Sequence, residues 1–251
     1  MLMSCPLISI ITVSFNIADE IERTCKSIVN QTFQDFEWIV VDGGSDDGTK
    51  DILQRFSFRI NSFTSERDNG IYNAMNKGIR KSSGKYLVFL NGGDSFFDDD
   101  SLNIISSSLT FDYDIVTGNS RIVNQLSYND WSAPDKPDLF SSTLPHNASY
   151  IKRMLFDKYG LYNENLKIVS DYEFFIKVFF QDIDYYHVNS LVSVFYQNGI
   201  SSVNRELAQK ENDFVRKKYF SRRYFFQQLK LSVQHPRYLA GKIKKLFCVC
   251  A

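Results

Sequence analysis

The feature that most constrains this chain is an alternation, over its first ninety residues, of apolar β-branched runs with segments of helical period. Leu7-Ile8-Ser9-Ile10-Ile11-Thr12-Val13 is rich in β-branched residues and reads as a central strand. Over residues 17–30, apolar side chains recur at Ile17, Ile21, Cys25, Ile28 and Val29, the spacing of an amphipathic helix. Residues 36–41 predict a second strand, 47–56 a short helix and 58–63 a third strand. A helix over 70–80 carries Ile71, Met75 and Ile79 on one face, and 86–90 predict a fourth strand. Four such alternations predict an α/β fold, a mostly parallel sheet with helices on both faces. In such sheets ligands bind at the carboxyl ends of the strands. Polar residues stand at those ends: Asn16 after the first strand, Asp42 after the second, Glu66 and Asp68 after the third, Asp94 after the fourth.

The second half is less regular. Residues 114–117 and 121–126 read as a strand pair turning at Gly118-Asn119, and 129–138 as a polar loop with Trp131 and two prolines. Helices are expected over 151–159 and 170–180, the latter with Ser170 as N-cap. A strand is expected over 191–196, then helices over 205–226 and 227–247, interrupted near Pro236.

The 251 residues, 43% of them hydrophobic, suffice for one sizeable core and an appendage. No apolar run reaches the ~18–20 residues of a membrane span. Residues 1–6 are uncharged and lead straight into the first strand, so no signal peptide is expected. Cys5, Cys25, Cys248 and Cys250 match neither a disulfide framework nor a zinc site, which places the chain in a reducing, cytoplasmic setting. The net charge is zero but unevenly spread. From Phe214 onward there are ten basic residues and no acidic one, which leaves 19 basic against 29 acidic residues in the rest. Phe225, Phe226, Leu229, Leu231, Leu239, Ile243, Leu246 and Phe247 interleave with those cations. Residues 214–251 therefore read as a basic amphipathic tail, suited to an anionic membrane surface or to packing on the main body. Nucleic acid is set aside, because the body is acidic and carries no RNA-binding motif.

Four clusters carry candidate chemistry. Asp42-Gly43-Gly44-Ser45-Asp46-Asp47-Gly48-Thr49 follows a strand and opens a helix. It reads as a turn capped by Asp47 or Ser45, or as a place where a ligand approaches bare backbone and Asp42 accepts from a base or ribose. It is not a phosphate-binding Gly-x-x-x-x-Gly-Lys loop. Asp68-Asn69-Gly70-Ile71-Tyr72-Asn73-Ala74-Met75-Asn76-Lys77-Gly78 offers Asp68 or Asn69 as N-cap and a polar face through Asn73, Asn76 and Lys77. Asn91-Gly92-Gly93-Asp94 ends the fourth strand with a carboxylate that reads as a turn residue or a ligand for a divalent cation. Ser170-Asp171-Tyr172-Glu173 sets two acids in the first turn of a helix, where the dipole favours them and where Asp171 is also placed as a general base. His146, in Pro145-His146-Asn147, is a structural or site-lining histidine.

These runs, with Ile10-Ile11-Thr12-Val13-Ser14-Phe15-Asn16, Ser27-Ile28-Val29-Asn30-Gln31-Thr32-Phe33 and Gly84-Lys85-Tyr86-Leu87-Val88-Phe89-Leu90-Asn91, resemble glycosyltransferase family 2 over residues 7–97 and more loosely to about 180. The resemblance implies a GT-A fold with a Rossmann-like nucleotide-binding sheet. It implies inverting transfer of a sugar from a nucleotide diphosphate sugar, commonly a UDP-sugar, to an acceptor hydroxyl. A lipid-linked glycan in bacterial surface-polysaccharide synthesis would be the acceptor, met at the inner face of the cell membrane. It implies nucleotide contacts at Thr12, Asn16, Asp42, Asp68, Asn76 and Lys77. Asp171 would be the base, Asp94 and Asn91 would hold Mn2+ or Mg2+, and Gly92, Gly93, His146 and Ser170 would line the donor and acceptor sites. It divides the chain into a nucleotide-sugar half over 1–97, an acceptor half over 98–213 and the tail. The family's Asp-x-Asp motif is here Asn91-Gly92-Gly93, and its Glu-Asp pair is Ser170-Asp171. Those departures leave open a second reading, a nucleotide-sugar-binding protein that has lost catalysis.

Overall fold

The computed structural model describes residues 5–135, 137–197 and 204–223. It contains strands β1 (Ile8–Ser14), β2 (Phe36–Asp42), β3 (Ser62–Ser65), β4 (Tyr86–Phe89), β5 (Ser95–Phe96), β6 (Ile115–Val123), β7 (Tyr128–Trp131), β8 (Ser149–Lys152) and β9 (Tyr185–Tyr196). Helices are α1 (Ala18–Val29), α2 (Thr49–Arg55), α3 (Ile71–Lys81), α4 (Ser101–Leu109), α5 (Arg153–Tyr159), α6 (Ser170–Phe179) and α7 (Arg205–Tyr219), with a 3-10 turn at His146–Ala148. The strands form one sheet in the order β3-β2-β1-β4-β8-β6-β9-β5, and β7 pairs with β6. β1 to β4 are mutually parallel. β8 then runs antiparallel to β4 and β6, while β9 runs parallel to β6. The α/β fold and the parallel pairing of β1 to β4 are as the sequence predicts.

The period of two explains how both faces are covered. Ile8, Ile10, Trp38, Val40, Tyr86 and Val88 bury one face against Ile21, Cys25 and Ile28 of α1, Leu53 of α2, and Leu102, Ile105 and Leu109 of α4. Ile11, Ile39 and Phe89 alternate with them on the other face, where Phe89 meets Phe156 of α5 edge-on and α3 lies over β1 and β2. Each large apolar side chain removed from water contributes about 1.5–3 kcal/mol. Packing, rather than propensity, therefore holds an element as short as α2.

Several expected boundaries move, each for a local reason. The third strand was expected over 58–63 and starts at Ser62. Asn61 exchanges its backbone N–H and its side-chain oxygen with the carbonyl and amide of Trp38, so the chain joins the sheet only beyond that point, and Phe58 stays exposed. Gly118-Asn119 is not a turn. It lies inside β6, at an irregularity against β9 between Thr117 and Ser120. A Cβ on Gly118 would stand 2.5 Å from Val192 Cγ2, so the glycine serves close strand approach. The hairpin turn comes at Asn124, whose Oδ1 accepts the N–H groups of Leu126 and Ser127. Part of the expected loop over 129–138 is thus strand β7. The expected helix over 151–159 divides into β8 and α5, the last expected strand begins earlier, at Tyr185, and α4 was not foreseen in a serine-rich run.

The chain divides into two units at Arg205/Glu206, where the sequence places the division after Asp213. In the second, α7 carries an i,i+4 ion pair from Lys210 to Glu206 and a Gln209–Asp213 hydrogen bond. The rest of the basic tail, 224–251, with the helices and the cysteine pair expected there, lies outside the described residues. Among the described residues no helix is long and apolar enough to cross a membrane.

Candidate active site

Asp42 ends β2 and is fully buried. Oδ1 accepts the hydroxyls of Ser14 and Ser45, and Oδ2 accepts the N–H groups of Gly44 and Ser45 and the hydroxyl of Ser65. The carboxylate therefore ties together the carboxyl ends of β1, β2 and β3. Burial pushes its pKa up, but the donors from Ser45, Ser65 and Ser14 outweigh that and hold the group below the usual carboxylate range. Next along, Asp47 accepts from Ala18 N–H at 2.9 Å and Thr49 N–H at 3.0 Å, so one side chain serves the starts of both α1 and α2.

Of the expected nucleotide contacts, three besides Asp42 make hydrogen bonds to the scaffold. Thr12 is buried inside β1, and its Oγ1 accepts Trp38 Nε1–H at 3.0 Å. Asn76 is buried, with Nδ2 donating to the Tyr162 carbonyl and Glu164 Oε1 and Oδ1 accepting Tyr162 N–H. Asn16, at φ 48, bridges to the second loop through Ser45 Oγ and Asp46 N–H. Beside Asn16, which is itself exposed, an aromatic side chain faces outward. Phe15 is 62% exposed just past the paired end of β1. A Cβ on Gly43 would lie 3.1 Å from the Phe15 ring and 3.4 Å from Asp68 Oδ2, so these three groups share one wall. Asp68 Oδ1 takes a hydrogen bond from Lys77 Nζ at 2.6 Å, and the same ammonium meets Glu66 at 2.7 Å. Phe15 was not singled out in the sequence. Its signal was an aromatic residue carried beyond the last buried position of the strand.

The fourth-strand corner is gripped by α1. Gly93 N–H donates to Thr24 Oγ1, the Gly93 carbonyl accepts from Arg23, and Thr24 in turn donates to the Asp94 carbonyl. Cβ atoms on Gly92 and Gly93 would collide with Ile17 and Glu20, at 2.0 and 2.7 Å, so both glycines face the helix. Asp94 turns to the opposite wall: Oδ1 accepts Tyr196 N–H and Oδ2 accepts Asn147 Nδ2–H. Asn147 in turn receives the hydroxyls of Ser120 and Ser193. Burial pushes the Asp94 carboxyl up to about 8, against the smaller downward pull of those donors and Arg23. Among the described residues no three His, Cys, Asp or Glu side chains gather as a metal cluster. One group does suit a cation: Asn91 Oδ1 is buried and accepts no hydrogen bond.

The second half brings its groups to the same rim. α3 starts just after the loop that follows β3, and Tyr72 in its first turn reaches α6, with Oη 2.7 Å from Asp171 Oδ1 and 2.6 Å from the Ile168 carbonyl. Asp171 Oδ2 accepts no hydrogen bond from the described residues. His146 stacks on Phe89 at 4.9 Å, and its Nε2 lies 2.9 Å from Tyr162 Oη. Burial and the nearby Asp171 charge keep the Tyr162 phenol protonated, and the direction of its hydrogen bond with Nε2 follows the imidazole tautomer. Burial also lowers the His146 pKa, against the upward pull of Asp171. Ser170, the expected N-cap, instead accepts Asn163 N–H at 2.6 Å, and the α6 cap position is Val169. Thus Asp171 and His146 come together, while Ser170 braces the preceding loop. Tyr72 and Tyr162 were not singled out in the sequence, because the partners that bring them to this place come from distant segments.

The sequence profile of glycosyl transferase family 2 matches residues 9–184. A PGL/p-HBAD biosynthesis glycosyltransferase of Mycobacterium bovis (strain BCG / Pasteur 1173P2) is 32% identical over 184 residues, covering 70% of this chain and 71% of its own. The putative teichuronic acid biosynthesis glycosyltransferase TuaG of Bacillus subtilis is 39% identical over 94 residues, 36% of this chain and 37% of its own. In shape, the chain is similar to S. aureus TarS 1-349 in complex with UDP-GlcNAc, with TM-score 0.69 and 16% identity over 87% of this chain and 73% of that one. It is also similar to the mannosyltransferase PcManGT of Pyrobaculum calidifontis in complex with GDP-Man and Mn2+, with TM-score 0.62 and 17% identity over 91% and 65%. With the family profile spanning most of a GT-A-type sheet and its rim, this chain belongs to glycosyl transferase family 2.

Proposed function

We propose that the chain transfers a sugar from a UDP-sugar to an acceptor hydroxyl with inversion at the anomeric carbon. The observation that carries this reading is Asp171: one oxygen is tied to Tyr72, the other is unspent, and both stand at the rim where ligands of such sheets bind. The nucleoside would lie against Phe15 and the backbone of Gly43, near Asp68 and Lys77. Asp42 and Asn16 would act by holding that loop in shape, and Thr12 and Asn76 by holding the elements beneath it. The acceptor oxygen attacks the anomeric carbon from the face opposite the nucleotide as Asp171 takes its proton, and nucleoside diphosphate leaves. Asn91 is the residue to hold a divalent cation, Mn2+ or Mg2+, whose charge would offset that of the departing diphosphate. Asp94 stands behind it, turned into the wall.

The named roles of the mycobacterial and Bacillus relatives, and the donors bound to TarS and PcManGT, support a nucleotide-sugar donor and a cell-surface glycolipid or polysaccharide acceptor. The ten cations after Phe214 support attachment at an anionic membrane surface, where a lipid-linked acceptor would be met. Liposome flotation with and without residues 214–251 checks this, and equal binding by both forms ends that part of the reading.

Nucleoside diphosphate release from a panel of nucleotide sugars, with and without Mn2+, tests the activity. Asp171→Asn is expected to slow transfer about 10²–10⁴-fold while thermal stabilisation by the donor persists. A variant within tenfold of wild type would sink the general-base role. The inward turn of Asp94 favours one competing reading, a donor-binding protein without turnover. Stabilisation by the donor with no acceptor-dependent release in the wild type would establish it.

A further inference from the structure

Tyr72 and Asp171 are 99 residues apart in sequence and touch through a single hydrogen-bonded contact. The phenol oxygen has two neighbours that both want its proton, Asp171 Oδ1 at 2.7 Å and the Ile168 carbonyl at 2.6 Å. A phenol carries one O–H, and a backbone carbonyl only accepts. The proton is therefore shared between, or alternates between, the two. Tyr72 is 5% exposed, and burial together with the Asp171 charge holds its pKa well above the usual phenol value, so it stays a donor and does not ionise. The other titratable groups facing this carboxylate are His146 and Tyr162, which are engaged with each other.

We propose that Tyr72 is the positioning residue for Asp171. Its hydroxyl fixes the carboxylate so that Oδ2 alone meets the acceptor, and its contact with the Ile168 carbonyl holds the phenol in place. The inference rests on Asp171 acting as the general base. When Oδ2 takes the acceptor proton, Oδ1 becomes the carbonyl oxygen of the neutral acid and still accepts from Tyr72, so no heavy atom need move during transfer. The geometry also joins the two halves of the site. Tyr72 lies four residues after Asp68 and on the same helix as Lys77, so the base is registered to the donor side through α3.

The test is a pair of substitutions read by kcat, KM and pH profile. Tyr72→Phe keeps the ring and removes the hydroxyl. It is expected to lower kcat roughly 10- to 100-fold, the worth of one hydrogen bond to a charged group, with the KM for donor unchanged. With the donor gone, Asp171 binds its proton more tightly, so the acid limb of the rate profile moves to higher pH. Replacing Tyr72 by difluorotyrosine, a stronger donor of nearly the same shape, is expected to move that limb to lower pH, and it decides the matter if Tyr72→Phe folds poorly. Asp171→Asn is measured alongside. If it retains activity, the base assignment fails and this inference goes with it. If it is inactive while Tyr72→Phe and difluorotyrosine both keep the wild-type kcat and profile, the base assignment stands and the role of Tyr72 is overturned.

Discussion

The loops after β2 and β4 are written almost alike, Asp42-Gly43-Gly44-Ser45 and Asn91-Gly92-Gly93-Asp94, and they fold to opposite electrostatic ends. In both, the second glycine has positive φ, 83° at Gly44 and 98° at Gly93. After β2 the acid comes first, and five donors converge on it. After β4 an amide comes first and the acid last, where it receives two long hydrogen bonds of 3.3 and 3.4 Å. The first carboxylate is held charged and the second is pushed towards neutrality, although both are buried. The lesson is that burial alone does not set the state of a carboxylate; the number and closeness of its donors do. The same order of residues leaves Asn91 Oδ1 as the unsatisfied oxygen at the second corner, where the sequence expectation looked first to Asp94.

The comparison breaks most readily at the two acids. Asp42→Asn removes a charge-assisted hub and is expected to cost on the order of 3 kcal/mol in chemical denaturation. Asp94→Asn, at long contacts and with little charge to lose, is expected to cost about 1 kcal/mol. Equal losses would show the two corners to be alike. Next come the glycines. Gly92→Ala drives a methyl into Ile17 and is expected to destabilise by about 1–3 kcal/mol through overpacking. Gly44→Ala meets its nearest atom at 3.4 Å, so it carries mainly the strain of a left-handed backbone, about 1 kcal/mol. The smallest effect is in acid. The Asp42 pKa is depressed in the folded chain, so its stabilisation is present above the unfolded carboxylate value of ~3.9 and is lost as pH falls through the folded value. Melting curves of wild type and Asp42→Asn should therefore draw together below about pH 4. A gap that stays constant to pH 2 would mean that the charge of Asp42 contributes nothing.

By itself, the sequence determined the order of strands and helices in the parallel half, because periods of 2 and 3.6 are local properties of the chain. It also set candidate chemistry at the strand ends and helix starts and picked out Asp171, Asp68 and Lys77 as expectations, since residue type and spacing are local too. It misjudged Gly118-Asn119 as a turn, because the close approach of Val192 that requires the glycine comes from a strand more than seventy residues away. The family resemblance grouped Thr12, Asn16, Asp42, Asn76 and Asp94 with ligand contacts. Only the tertiary structure decided which of their atoms were already spent. Hydrogen-bond satisfaction depends on partners brought from distant segments: Trp38 for Thr12, Tyr162 for Asn76, Tyr196 and Asn147 for Asp94. For the same reason Tyr72, which the sequence did not mark, became the partner of Asp171 Oδ1.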